Sequence, residues 1–129
     1  MKQELEEKLF NDFPLLFERN ADIRRSAMGF GFECGDGWYD LIRELCEKLY
    51  PLVMAFKPDE YGSFCSASQV KEKYGTLRFY MHISTDEMDT LIEEYQQLSS
   101  KTCEYCGKPG SSDRNKSWVT TTCDEHRPK

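Results

Sequence analysis

Histidine is scarce in this chain. There are two in 129 residues, His82 and His126, so any cysteine nucleophile would have only those two to activate it. Long apolar runs are missing as well: none reaches about 18 residues, which excludes a membrane-spanning helix from the reading. The first residues, "MKQELEEKLF", lack the apolar core of a signal peptide. The expectation is a cytoplasmic protein with no membrane partner. Thiols stay reduced there, so the six cysteines read as metal ligands and buried thiols rather than disulfides. Positive charge is short, with 17 Lys/Arg against 23 Asp/Glu and a net charge of -6. Residues 101–129 carry six Lys/Arg against four Asp/Glu, which leaves -8 on residues 1–100. An acidic body repels a phosphate backbone, so nucleic acid is disfavoured as a partner of the whole surface. Internal repeats and low-complexity linkers are absent, and the glycines fit neither a phosphate-binding loop nor a dinucleotide fingerprint.

What is present suits one small domain with an appendage: a core over residues 1–98 and a tail over 99–129. The stretch "QELEEKLFNDF" predicts a helix, with Leu5, Leu9 and Phe13 on one stripe. "GFGFECGDG" predicts a short strand near a turn. "WYDLIRELCEKL" is the clearest amphipathic helix, with Trp38, Leu41, Ile42, Leu45 and Leu49 on the 3.6-residue repeat. Asp36 is its expected N-cap, and Pro51 its expected end or kink, with "PLVMAF" as a second short helix. "SQVKEKYGTLRFYMHI" predicts two strands joined at Lys73–Tyr74–Gly75, with Leu77, Phe79 and Met81 on one face and Arg78, Tyr80 and His82 on the other. A last helix follows over "STDEMDTLIEEYQQLSS". Its expected capping box is Ser84 with Glu87, and its apolar face is Met88, Leu91, Ile92, Tyr95 and Leu98.

Cys103, Cys106, Cys123 and His126 have the spacing C-x2-C-x16-C-x2-H. Two knuckles of paired soft ligands are what a tetrahedral zinc ion needs, and Gly107 permits the tight turn after the first pair. A thioredoxin-type redox pair would leave Cys123 and His126 without a role. A catalytic zinc keeps one position open for water, whereas four protein ligands close the shell. Zinc deaminases place His-x-Glu ahead of the paired cysteines, whereas this chain has the paired cysteines first and no upstream His-x-Glu. The expectation is therefore a structural Zn2+ that folds a tail too small to bury its own core, with Trp118 as its apolar plug.

"FECGDGW" admits three readings. One is a hydrolase site built from Glu33, Cys34, Asp36 and His82, which requires strand pairing that brings His82 to Cys34. The second is a structural joint in which the glycines make the bend. The third is a binding site, because a glycine-rich turn at a helix start offers amide donors to an anion. Gly35, Asp36, Gly37 and Trp38 would then act with Lys71, Lys73, Tyr74, Arg78 and Tyr80 of the hairpin, and with Arg24 and Arg25, to clamp a nucleotide-like anion or an acidic protein loop. Cys46 and Cys65 read as small buried apolar residues.

The blocks "ECGDGW" followed by "LIRELCEKL", "QVKEKYGTLRFYM" and "TCEYCGKPG…W…TTTCDEH" resemble, in that order, a family of small uncharacterised bacterial and phage (prophage) proteins, over roughly residues 29–126. The resemblance implies a phage or prophage accessory protein acting in the host cytoplasm and carries no catalytic residues with it. The last block also resembles zinc ribbons in general. Together these readings give an α+β fold: a small antiparallel sheet on two or three helices, with a zinc ribbon docked on the last helix. They favour a non-enzymatic adaptor or inhibitor of a host defence protein. The alternative is a sponge for an anionic nucleotide-like small molecule, and the second alternative the hydrolase. A hairpin at a sheet edge would also allow pairing between chains.

Overall fold

In the computed structural model, residues 1–17, 28, 31–56, 65–112 and 115–127 are described; Arg24 and Arg25 lie outside them. The fold is α+β. In chain order the elements are α1 (Gln3–Asp12), β1 (Phe32–Glu33), α2 (Tyr39–Ala55), β2 (Ala67–Lys73), β3 (Thr76–Met81), α3 (Asp86–Ser99), β4 (Ser111–Ser112) and β5 (Thr121–Thr122). Among the described residues, no helix is long and apolar enough to cross a membrane.

The main sheet has the order β1-β2-β3 and is mixed, not wholly antiparallel. β2 and β3 form the expected hairpin, but β1 runs parallel to β2, with Phe32 opposite Val70 and Glu33 opposite Lys71. The cause is α2, which lies between β1 and β2 and carries the chain back so that both strands start at the same end. One row of the sheet, Phe32–Val70–Phe79, faces the core. There Phe10, Phe17, Phe32 and Phe79 pack ring to ring at centroid distances of 5.2 to 6.2 Å. Such pairs add roughly 0.5–1.5 kcal/mol each beyond their burial.

α2 is one helix of 17 residues and passes through Pro51 without ending. Its buried stripe, Ile42, Leu45, Cys46, Leu49 and Val53, continues on the same face past the proline. A mid-helix proline costs about 3 kcal/mol or more. Each buried aliphatic side chain returns about 1.5–3 kcal/mol, so the stripe outweighs the lost hydrogen bond. Asp36 does not cap this helix: it accepts from the Lys2 amide at 2.7 Å, while Asp36–Trp38 forms a 3-10 turn leading into α2. α1 is tied to α2 by Arg43, which reaches Asp12 at 2.8 Å and Glu47 at 3.4 Å.

The cap of α3 is Thr85, whose hydroxyl accepts from the Met88 amide, one residue later than the expected Ser84. Ser84 instead donates to Asp89. The helix buries Met88, Tyr95 and Ser99 and leaves Leu98 exposed. Ser99 takes that place because its hydroxyl accepts from the Leu77 amide at 2.8 Å and locks the end of α3 to β3. At the tip of the hairpin Tyr74 and Gly75 both have positive φ, 54° and 79°. That is the two-residue turn whose twist matches the strands.

Candidate metal centre

The tail after α3 is a pair of knuckles. In the first, the Gly107 amide donates to the Cys103 carbonyl at 2.9 Å and the Cys103 amide donates to the Lys108 carbonyl at 2.7 Å. Gly107 has φ +80°, so the turn needs a residue that tolerates the left-handed region. In the second, β5 delivers Cys123, and the turn Asp124–His126 brings the ring back with its nearer nitrogen, Nδ1, toward the sulfurs. β4 and β5 pair antiparallel, Ser111 opposite Thr122 and Ser112 opposite Thr121.

These turns bring the four predicted ligands together. Three Sγ atoms and the His126 Nδ1 all lie within 4.8 Å of one another. Cys106 Sγ is 3.6 Å from Cys123 Sγ, Cys103 Sγ is 3.7 Å from His126 Nδ1, and Cys123 Sγ is 3.1 Å from the same nitrogen. A tetrahedral zinc with bonds of about 2.3 Å to sulfur and about 2.0–2.1 Å to nitrogen has edges of about 3.8 Å and about 3.6 Å. The cluster has the size and donor set of such an ion. Cys103 and Cys123 are buried, and Cys106 and His126 are exposed.

The surroundings favour thiolate at Cys103 and Cys123; at Cys106 the Lys108 amide donates, but burial and the neighbouring Cys103 and Cys123 together raise the thiol. Burial raises the Cys103 thiol, but amide donation around Cys123, Cys106 and Tyr105 outweighs it and brings it down to about 6. Burial is the largest single influence on Cys123 and raises it, but hydrogen bonds from His126 and Cys106 together bring it below its ordinary value, and His126 is in turn held above its ordinary range by Cys123. These are ligands readied to exchange protons for a divalent cation.

The knuckle is fastened to the glycine turn and the hairpin tip as well as to the end of the last helix, where the Thr102 hydroxyl donates to the Leu98 carbonyl at 2.9 Å. Glu104, inside the first cysteine pair, is the fastening that sequence reasoning missed. Its carboxylate accepts from the Gly35 amide at 2.8 Å, and its carbonyl accepts from the Gly37 amide at 2.7 Å. Its own amide donates to the Thr121 carbonyl at 3.0 Å. The approach is too close for side chains. A Cβ on Gly35 would lie 2.4 Å from the Glu104 carbonyl oxygen, and one on Gly37 would lie 2.4 Å from that of Cys103. The turn does seat an anion, as its amides suggest, but the anion is the chain's own glutamate. Gly35 and Gly37 therefore have no amide left for an external ligand.

Trp118 is not the plug of the tail. Trp118 is 79% exposed, whereas Trp38 is fully buried and its Nε1 donates to the Thr102 carbonyl at 2.9 Å. The tail's interior is filled by Trp38 from the core side and by Thr121, whose hydroxyl donates to the Gly75 carbonyl.

The hydrolase set is not assembled. β1 meets β2 at Val70 and Lys71, so Cys34 follows toward the Glu72–Leu77 end of the sheet, while His82 follows Met81 at the other end. Burial, then the Glu104 charge, pushes the Cys34 thiol up to about 12, the reverse of what a nucleophile needs. The hairpin residues do share a face. Lys71 and Arg78 sit opposite each other, Gln69 and Tyr80 form the next row, and Glu33 flanks Lys71 while accepting from Gln69 at 3.2 Å. Lys73 lies over the exposed Tyr74 ring at 5.6 Å.

No family model, curated protein or solved structure matches this chain.

Proposed function

We propose that the chain is a zinc-stapled binding protein: the Cys3His centre holds Zn2+ as an architectural ion, and the protein acts by holding a partner. The observation that carries this is the interlock of Glu104 with Gly35 and Gly37, which makes the metal knuckle part of the body's own packing. Four protein ligands fill a tetrahedral shell, and this supports a closed site. The partner surface is the polar sheet face with Lys71, Arg78 and Tyr80, continued by Lys73 and Tyr74 at the hairpin tip, and its cations fit an acidic loop of a host protein. The resemblance of the sequence blocks to small phage and prophage proteins supports a cytoplasmic host protein as the target of inhibition. A second reading, the sponge for an anionic small molecule, is favoured by Arg78, whose buried Nε has no hydrogen-bond partner among the described residues.

The test is affinity capture from bacterial lysate on zinc-loaded protein, with mass spectrometry of proteins and of small molecules released by heat. The adaptor reading predicts one host protein, lost on Arg78→Ala. A nucleotide-like anion lost on the same substitution supports the sponge. Capture of the same species by wild type and Arg78→Ala contradicts both assignments of this face.

A further inference from the structure

β3 is an outer strand of the sheet, and its backbone groups point alternately toward β2 and away from it. Two hydrogen bonds set which way each points. The Leu77 amide donates outward to Ser99 Oγ at 2.8 Å, and the His82 amide donates inward to the Ser66 carbonyl at 2.9 Å. Phe79 and Met81 share the parity of Leu77, so their amides and carbonyls face outward, and no described residue pairs with them there.

Beside this edge runs a groove of about 390 Å³. Phe79, Tyr80 and Met81 form its strand wall, Ser84 lines it between strand and helix, and Asp89, Ile92, Glu93 and Gln96 form its helix wall; Tyr80 is the residue it shares with the basic face. The helix residues fall at i, i+3, i+4 and i+7, one stripe of α3. The Ser99–Leu77 bond closes one end by bringing helix and strand together. The groove therefore has a hydrogen-bonding rim, an apolar floor at Ile92 and an acidic wall. Asp89 accepts from Ser84, and neither Asp89 nor Glu93 forms an ion pair among the described residues.

We propose that this groove docks an extended segment of a partner protein, which adds to β3 as a fourth strand and places a Lys or Arg against Asp89 and Glu93. Main-chain bonds to Phe79 and Met81 supply the register, and the acidic wall supplies the choice of side chain, as in other edge-strand recognition sites. The volume falls within the roughly 300–1,000 Å³ of binding clefts. The site goes beyond the basic face of the proposed function and has the opposite charge, so one protein would present two surfaces of different selectivity.

The probe is a yeast-displayed library of random decapeptides sorted against the full-length, zinc-loaded protein. Selected peptides are expected to carry Lys or Arg at one fixed position. The best of them, added to ¹⁵N-labelled protein, should slow exchange of the Phe79 and Met81 amides. Glu93→Lys, an exposed change with zinc content and circular dichroism as fold controls, should weaken that peptide at least tenfold and select acidic peptides instead. Arg78→Ala should leave peptide binding unchanged, which separates this site from the basic face. A library that yields no binder, equal enrichment of acidic and basic peptides, or protection that spares Phe79 and Met81 would overturn the proposal. So would sedimentation showing that the edge is covered by a second copy of the chain.

Discussion

In the body of the protein Trp38, Ile42, Leu45, Leu49, Val70 and Tyr95 are buried among three helices and a sheet. Beyond Ser99 the buried side chains, among the described residues, are two cysteines, a glutamate and two threonines. Burial at about 25 cal/mol per Å² can hold the first region. It supplies almost nothing to the second, where the Cys103, Cys106, Cys123 and His126 cluster and polar contacts with the body are the cross-links available. The contrast also explains the glycines of "ECGDGW". They mark the surface where the region without a core is pressed into the region that has one.

The largest effect should come from removing the metal. Apparent zinc-binding energies of about 10–16 kcal/mol in small domains are folding energies. Chelation, or Cys106→Ser, should abolish exchange protection of the Gly37, Glu104 and Gly110 amides while α2 stays protected. If α2 is lost at the same chelator concentration, the two regions are one cooperative unit. Acid should act in the same direction, because protons compete for the ligands. In the folded knuckle Cys103 is depressed from 9.0 to about 6, so the stability its thiolate contributes is present above pH 9 and is lost as pH falls through about 6, and exchange protection of the knuckle amides across that window reads it. Chelation should also add two fast-reacting thiols, Cys103 and Cys123, in a disulfide-exchange assay, while Cys34, pushed up to about 12, stays slow.

Next in size is the seat itself. Gly37→Ala forces a Cβ into the Cys103 carbonyl and should cost about 1–3 kcal/mol or more, read from urea midpoints. Zinc affinity should fall with it, because seat and knuckle are linked. Glu104→Ala leaves the Gly35 amide without its acceptor and should cost about 1–3 kcal/mol. Unchanged zinc affinity in both variants would mean that the tail is held by its metal alone.

The smallest effect concerns the hairpin tip. Tyr74 holds φ 54°, and a left-handed conformation costs an ordinary side chain about 1–2 kcal/mol. Tyr74→Asn should therefore raise stability by up to about 1 kcal/mol in thermal denaturation. The same substitution should weaken partner capture if the exposed ring belongs to the binding surface.

The parts legible in the sequence were those with a local cause. The stripes of α1, α2 and α3 follow from 3.6-residue spacing, the hairpin from its alternation around Tyr74–Gly75, and the metal cluster from ligand types at fixed intervals. The misread parts depend on distant neighbours. Pro51 sits inside α2 because Val53 finds a core, which no local rule reports. Asp36 has the chemistry of a cap but bonds Lys2 instead, 34 positions away. Trp118 looked like a plug because the tail has no other large apolar residue near Cys123, yet the plug is Trp38, some 64 positions before the carbonyl it bonds. The anion-seeking character of the glycine turn was readable. That the anion would be Glu104 was not, although an acidic residue inside a cysteine pair was a signal available to be weighed.

The central claim is a closed, architectural metal shell. X-ray absorption at the zinc edge, on native protein with its metal content measured, tests it most directly. The account predicts one zinc per chain with three sulfur neighbours at about 2.3 Å and one nitrogen at about 2.0–2.1 Å. Protein free of zinc, or a spectrum needing an oxygen neighbour in place of one of those four, would contradict it.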